Sequence, residues 1–339
     1  MRIPIQDAKK NVARILRAEG VPSENASMAS DVIIQADVFG VKTHGLSRLG
    51  YYIKRLRDGI ILPDAKIWIT RKFPTCCVMD GGNCLGQVVA NRATDIVIES
   101  AKEYGIGACA VRNSSHYGIA GYYSWRCAKQ GLVGISFTNA RPAVAPTFGN
   151  VPKLGTNPFA ISMPSDFGFP FHIDCATSSI QRGNLEVLAR MQQDADLSAY
   201  VTCAGKTPSQ ILDMIEAGTC ALKPIGEHKG YGLSMAIELF SSAFQNGAFL
   251  SGLEGYYEGG EKKPYDVGHF FMCINPEAFT ELEEFKRNVG NVMRELKASG
   301  HQVLVPGELE SIADAEANQS GIEISDELLW ELMSFGWDD

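Results

Sequence analysis

What most constrains this chain is a change of hydrophobic period near residue 66. Before it, apolar residues recur at helical spacing. Ile5, Ala8, Val12, Ile15 and Leu16 share one face until Gly20-Val21-Pro22 stops the run, and Ser23 then caps a second helix. Leu46, Leu49, Ile53 and Leu56 mark a third helix that starts near Ser47 and closes at Gly59. After residue 66, short β-rich runs appear at Ile67 to Ile69, Gly107 to Val111, Leu132 to Phe137, Pro158 to Met163 and Phe171 to Ile173. Helical stretches over Val88 to Lys102, Tyr117 to Lys129 and Lys229 to Gln245 lie between or after them. A strand at Phe270 to Ile274 precedes a helical run from Leu282 to Ala298, and Asp326 to Phe335 reads as an amphipathic tail that packs back on the first helices. The pattern predicts an α/β fold behind a helical N-terminus.

A glycine fingerprint narrows the class further. Gly105-Ile106-Gly107-Ala108-Cys109-Ala110 matches G-x-G-x-x-A, yet it follows a helix and runs into a strand. Dinucleotide binding needs the reverse order, so that the pyrophosphate meets a helix N-terminus. We read a glycine helix stop followed by a buried strand. No Walker A, H-E-x-x-H or G-x-S-x-G motif is present.

Composition excludes other classes. With 45% hydrophobic and 21% charged residues the chain is globular, neither disordered nor fibrous. A formal charge of −8 argues against a nucleic-acid partner, and any anionic ligand must find a local basic site. No apolar run reaches the ~18 residues of a membrane span. The charged stretch Met1 to Lys10 does not read as a signal peptide. Nine cysteines without a C-x-x-C pair read as free thiols of a cytoplasmic protein.

Four segments carry chemistry. In Thr43 to Tyr52, a helix would set His44, Arg48 and Tyr52 on one polar stripe, suited to a carboxylate-bearing substrate or simply a solvated face. In Asn113 to Gly118, His116 falls near the start of the following helix. The dipole there would keep its ring neutral and basic, unless it is only a capping or core histidine. Between Thr138 and Pro158, a Pro- and Gly-rich loop offers Arg141 as a second anion anchor or an exposed charge. In Gly226 to Leu233, glycines and Lys229 at a helix start suit a phosphate, or form a plain loop entering a core helix.

In this order the segments resemble the type-2 malate/L-lactate dehydrogenase family. The matches are Lys42-Thr43-His44-Gly45, Ser114 to Gly118, Leu154-Gly155-Thr156-Asn157-Pro158, Asp174 to Ser178, His228 to Gly232 and Val305-Pro306-Gly307-Glu308. Phe137 to Pro142 and Gly268 to Phe271 look like the malate dehydrogenase branch. The resemblance implies a non-Rossmann, mixed-sheet cofactor-binding domain over 66–299 and a helical, substrate-side domain from 1–65 plus 300–339, working as a homodimer. It implies NAD or NADP as cofactor, NAD slightly favoured, and hydride transfer to or from a 2-hydroxy acid, malate first. His116 would be the acid/base, His44 a second proton donor or orienter, and Arg48 a catalytic and carboxylate-binding group. Arg141, Tyr52, Thr156 and Asn157 would complete the substrate site. Asp174, Cys175 through its backbone, Ala176, Lys229, Pro306, Gly307 and Glu308 would line the cofactor. Ala140 departs from the pattern, since some relatives carry a cofactor-contacting Ser there. The rival readings are the same chemistry on lactate, sulfolactate, ureidoglycolate or a cyclic imine, a zinc hydrolase built on His44, His116 and a carboxylate, and a non-catalytic scaffold.

Overall fold

The computed structural model describes residues 1–193, 196–253 and 263–338. In chain order its elements are β1 (Arg2–Ile3), α1 (Ile5–Ala18), α2 (Ser23–Val38), α3 (Leu49–Arg57), β2 (Trp68–Phe73), β3 (Cys76–Asp80) and α4 (Gly86–Tyr104). Then come β4 (Ile106–Ser114), α5 (Gly121–Ala128), β5 (Val133–Thr138), β6 (Phe159–Met163), β7 (Phe171–Cys175), α6 (Arg182–Arg190), α7 (Pro208–Glu216) and α8 (His228–Phe240). The chain closes with β8 (Val267–Ile274), α9 (Leu282–Ala298), α10 (Glu308–Ser320), β9 (Ile322–Glu323) and α11 (Asp326–Ser334).

β2 to β8 form a seven-stranded sheet in the order β2-β3-β4-β8-β5-β6-β7. β3 and β4 run parallel and every other neighbouring pair is antiparallel, so the sheet is mixed, as the resemblance implied. Its core is built on β4 and β8, where runs of consecutive buried residues show cover on both faces, with Val111, Phe271 and Cys273 fully covered. Gly105 ends α4 at φ 84°, its N–H donating to Ala101. A Cβ at Gly107 would lie 2.5 Å from the Val97 carbonyl oxygen, so only glycine lets α4 lie this close to β4. The two glycines are a helix stop and a packing contact, and the fold is not a Rossmann domain.

At the other end, β1 pairs antiparallel with β9 and brings the N-terminus onto the C-terminal helices. The buried cluster that begins in α1 and α2 continues through α3, α4 and α5 into the sheet, and takes in Leu332 and Trp337. A second, smaller cluster gathers Val144, Leu154, Leu185, Ile211 and Ile215. It fastens α6 and α7 to the loop between β5 and β6.

One sequence expectation is overturned here. The nine cysteines are not all free: Cys203 and Cys220 are disulfide-bonded, while the other seven remain thiols. The turn through α7 brings their Cα atoms to 5.6 Å, within bridging reach, which spacing along the chain could not reveal.

Candidate active site

A cavity of about 220 Å³ opens between the α2–α3 connection, the segment after β4, the loop after β5 and the start of α6. His44, Arg48, His116, Ala140, Arg141, Thr156, Asp174 and Ala176 all line it. Sequence segments far apart in the chain therefore meet at one place.

The stripe expected from His44, Arg48 and Tyr52 does form a group, but not on one helix. Two 3-10 turns, Lys42–His44 and Leu46–Arg48, precede α3. The break falls at Gly45, where a Cβ would lie 2.1 Å from the Asp37 carboxylate. Asp37, half-buried on α2, accepts the Leu46 N–H at 2.7 Å and so fixes the turn. Burial pushes its carboxyl up to about 7, against the pull of that N–H and of Lys42.

Tyr52, expected to touch substrate, is instead fully buried behind His116 and does not line the cleft. Its hydroxyl meets His116 Nδ1 at 2.7 Å. The Gly118 N–H also donates to Nδ1, at 3.3 Å, and while Nδ1 accepts the neutral ring carries its proton on Nε2, as a general acid does; Nε2 offers a lone pair when the proton sits on Nδ1 and Tyr52 Oη accepts it. His44 stacks on His116 with ring centres 5.5 Å apart, and Tyr51 meets the same ring edge-on. Burial, then the charges of His44, Arg48, Arg55 and His269, push His116 well below the ordinary imidazole range. Burial and then Arg48 take His44 down to about 4. Both rings are thus neutral at pH 7. The helix dipole is not the cause expected from the sequence, since α5 begins only at Gly121, and desolvation comes first.

Arg48 is fixed by donating Nε to the Thr43 carbonyl and pairing with Glu186 on α6 at 2.8 Å. Arg141 lies over the Tyr265 ring and 3.7 Å from Glu216. Ala140 lines the cleft and donates its N–H to Asn157 Oδ1. Asn157 itself does not line it. Its side-chain nitrogen donates to Glu238 at 2.8 Å and to the Ser234 carbonyl, which makes it a brace behind the loop rather than a substrate contact.

At the far end, Asp174 accepts the Gly121 N–H at 2.7 Å, and burial pushes its carboxyl up to about 7 against that bond. Phe39, Val41, Ile119 and Ala120 add apolar side chains to the same lining. Cys175, whose thiol burial raises to about 11, does not line the cleft. Lys229 is exposed at the start of α8, and Pro306 and Gly307 lead into α10 outside the lining. Glu308 pairs with Lys297 and accepts the Val305 N–H, so it closes its own helix start. Among the expected cofactor residues, the structure brings Asp174 and Ala176 to the cleft and leaves the others away from it. Among the described residues, no cluster of three or more His, Cys, Asp or Glu is placed to hold a metal ion.

Sequence reasoning missed Arg182, Glu186, Glu216, Asp37 and Tyr265. Arg182 and Glu186 stand at i and i+4 just after the Asp174 to Ser178 match, a spacing that could have flagged them. Nothing local marks the other three.

Two stacked, neutral histidines and two arginines line one cleft together with apolar side chains, the groups that acid–base chemistry on a small anion needs. Residues 3–333 match the model of the malate/L-lactate dehydrogenase family. A malate dehydrogenase of Pyrococcus abyssi is 39% identical over 88% of this chain and 83% of its own length. A malate/(S)-sulfolactate dehydrogenase of Methanothermus fervidus is 35% identical over 98% and 96%. The crystal structure of malate dehydrogenase from Entamoeba histolytica superposes with a TM-score of 0.94 at 38% identity, covering 99% of this chain and 97% of that one. The chain belongs to the malate/L-lactate dehydrogenase family, oxidoreductases of small 2-hydroxy acids that work with a nicotinamide cofactor. Among the described residues, no helix is long and apolar enough to cross a membrane.

Proposed function

We propose that this chain is an NAD(P)-dependent malate dehydrogenase, interconverting malate and oxaloacetate. The observation that carries the reading is the placing of neutral His116 in one cleft with two guanidinium groups, Arg48 and Arg141. A malate dianion has two carboxylates to anchor and one hydroxyl proton to lose. Arg48 binds the carboxylate beside C2 and Arg141 the distal one, each by paired hydrogen bonds. His116 Nε2 takes the hydroxyl proton as C2 gives up its hydride, while Tyr52 steadies Nδ1 and His44 holds the ring by stacking. In the reverse direction His116 returns the proton. Asp174, Ala176, Ile119 and Ala120 would hold the nicotinamide ring, which supplies or receives the hydride when bound. NAD is our preferred cofactor over NADP.

A specific test is Arg141→Leu. It is expected to cut kcat/KM for malate about a hundredfold and for lactate only severalfold, as removal of one charged anchor requires. Equal losses on the two substrates would remove Arg141 from the role. Sulfolactate, whose sulfonate suits the same guanidinium, is the second substrate to assay, given the M. fervidus relative. A homodimer joined through the outer face of α8 is part of the same reading. So is a cytoplasmic site of action, with seven cysteines reduced and the one bridge, Cys203–Cys220, an exception for that compartment.

A further inference from the structure

The rim of the cleft carries a third guanidinium. Arg182, in the first turn of α6, lines the same cavity as Arg48 and Arg141. Five charges then alternate along the rim. Arg48 pairs with Glu186 at 2.8 Å, Glu186 with Arg182 at 3.4 Å, Arg182 with Glu216 in the tightest contact of the set, and Glu216 with Arg141 at 3.7 Å.

The unequal grip on Glu216 matters for function. Burial pushes its carboxyl up, but Arg182, by charge and by hydrogen bond, and then Arg141 pull it below its ordinary value. The two arginines thus favour Glu216 as an anion. An anion at 3.7 Å from Arg141 competes for the donors that a substrate carboxylate would need. α7 ends at Glu216, and its side chain is about half exposed, so it has room to move toward either arginine. A direct hydrogen bond from Arg182 Nη2 holds it on the α6 side.

We propose that Arg182 is a positioning residue for dicarboxylate specificity: by holding Glu216, it keeps Arg141 open to the second carboxylate of the substrate. This rests on the role given to Arg141 under the proposed function. Without Arg182, Glu216 closes on Arg141 and the enzyme loses its advantage for dianions, while a monoanionic 2-oxo acid, which does not use Arg141, is spared that competition.

The test compares oxaloacetate with pyruvate, the latter followed as a competitive inhibitor if it is not turned over, with the reduced cofactor that the unaltered enzyme uses. Arg182→Gln is expected to lower the oxaloacetate-to-pyruvate ratio of kcat/KM about tenfold, mainly through the KM for oxaloacetate. Arg182→Gln combined with Glu216→Gln is expected to recover most of that ratio, because no carboxylate remains to compete. A purely structural role would weaken both substrates alike and would gain nothing from the second change. Either of those results overturns the proposal. If Arg182→Gln does not fold, Glu216→Gln alone decides: the proposal gives Glu216 no productive contact, so a raised KM for oxaloacetate in that variant contradicts it and an unchanged or lowered one supports it. Arg141→Leu run alongside separates the two levels. Unselective loss there overturns the Arg141 reading itself, whereas selective loss there with an unselective Arg182→Gln overturns only this inference.

Discussion

Asp37 shows how one side chain can hold a site it does not touch. Its carboxylate takes the Leu46 N–H inside the turn that presents His44 and Arg48, and the absence of a Cβ at Gly45 makes room for it. With the carboxyl raised to about 7, the fold favours its protonated form. The stability this contributes is fully present below the unfolded value of 3.8 and is lost as pH rises through about 7. Asp37→Asn keeps an oxygen for Leu46 and removes the charge. Its melting temperature is therefore expected to gain on the unaltered protein between pH 5 and pH 8, by roughly 5 °C for a shift of this size in a chain of this length. Parallel curves would show that Asp37 does not titrate in this range. Residues of this kind were illegible in the sequence, because an aspartate on an apolar helix announces neither its burial nor its partner nine residues on. His116 and His44 were legible only through their motifs. The cause of their neutral state, burial among aromatic rings, had to come from the structure.

Elements were legible where their period was strong. The helix expected over Leu282 to Ala298 is α9 residue for residue, and the glycine pair after α4 acts as the reversed fingerprint implied. β3 passed unnoticed because Cys76 to Asp80 is short and lacks β-branched residues except Val78, and its strand character comes from pairing with β2 and β4. α10 is rich in small and acidic residues with a weak apolar stripe, so its sequence does not announce it. α8 has two faces of different use. Inside, Glu238 is buried and takes hydrogen bonds from Asn139, Asn157 and the Leu250 N–H, bracing the loop that carries Arg141. Outside, Met235 and Leu239 are exposed, the latter by 52%, beside Phe244 and Phe249. Such a patch is expected to be covered in solution by a second copy of the chain. Light scattering should give twice the chain mass for the unaltered protein. The Met235→Glu/Leu239→Glu double variant should give the single-chain mass with its helical content kept. A monomeric unaltered protein, or a variant that stays dimeric, would refute this interface.

At the scale of the whole molecule, a net charge of −8 conceals a cleft whose rim holds Arg48, Arg141 and Arg182. The chain ends meet through β1 and β9, α10 packs on α2 and α11 on α3, and one apolar core runs from them through α4 and α5 into the strands. That continuity holds the turn bearing His44 and Arg48 against the segment bearing His116. The central claim is that this juxtaposition makes His116 the acid/base for a dicarboxylate 2-hydroxy acid. It is tested most directly by oxaloacetate-dependent oxidation of NADH and of NADPH, measured for the unaltered enzyme and for His116→Ala, with cofactor binding followed separately by fluorescence. The account expects turnover with at least one cofactor, a loss on the order of 10²–10⁴-fold in His116→Ala, and cofactor affinity little changed. No oxaloacetate-dependent oxidation with either cofactor, or full turnover retained without His116, would contradict it.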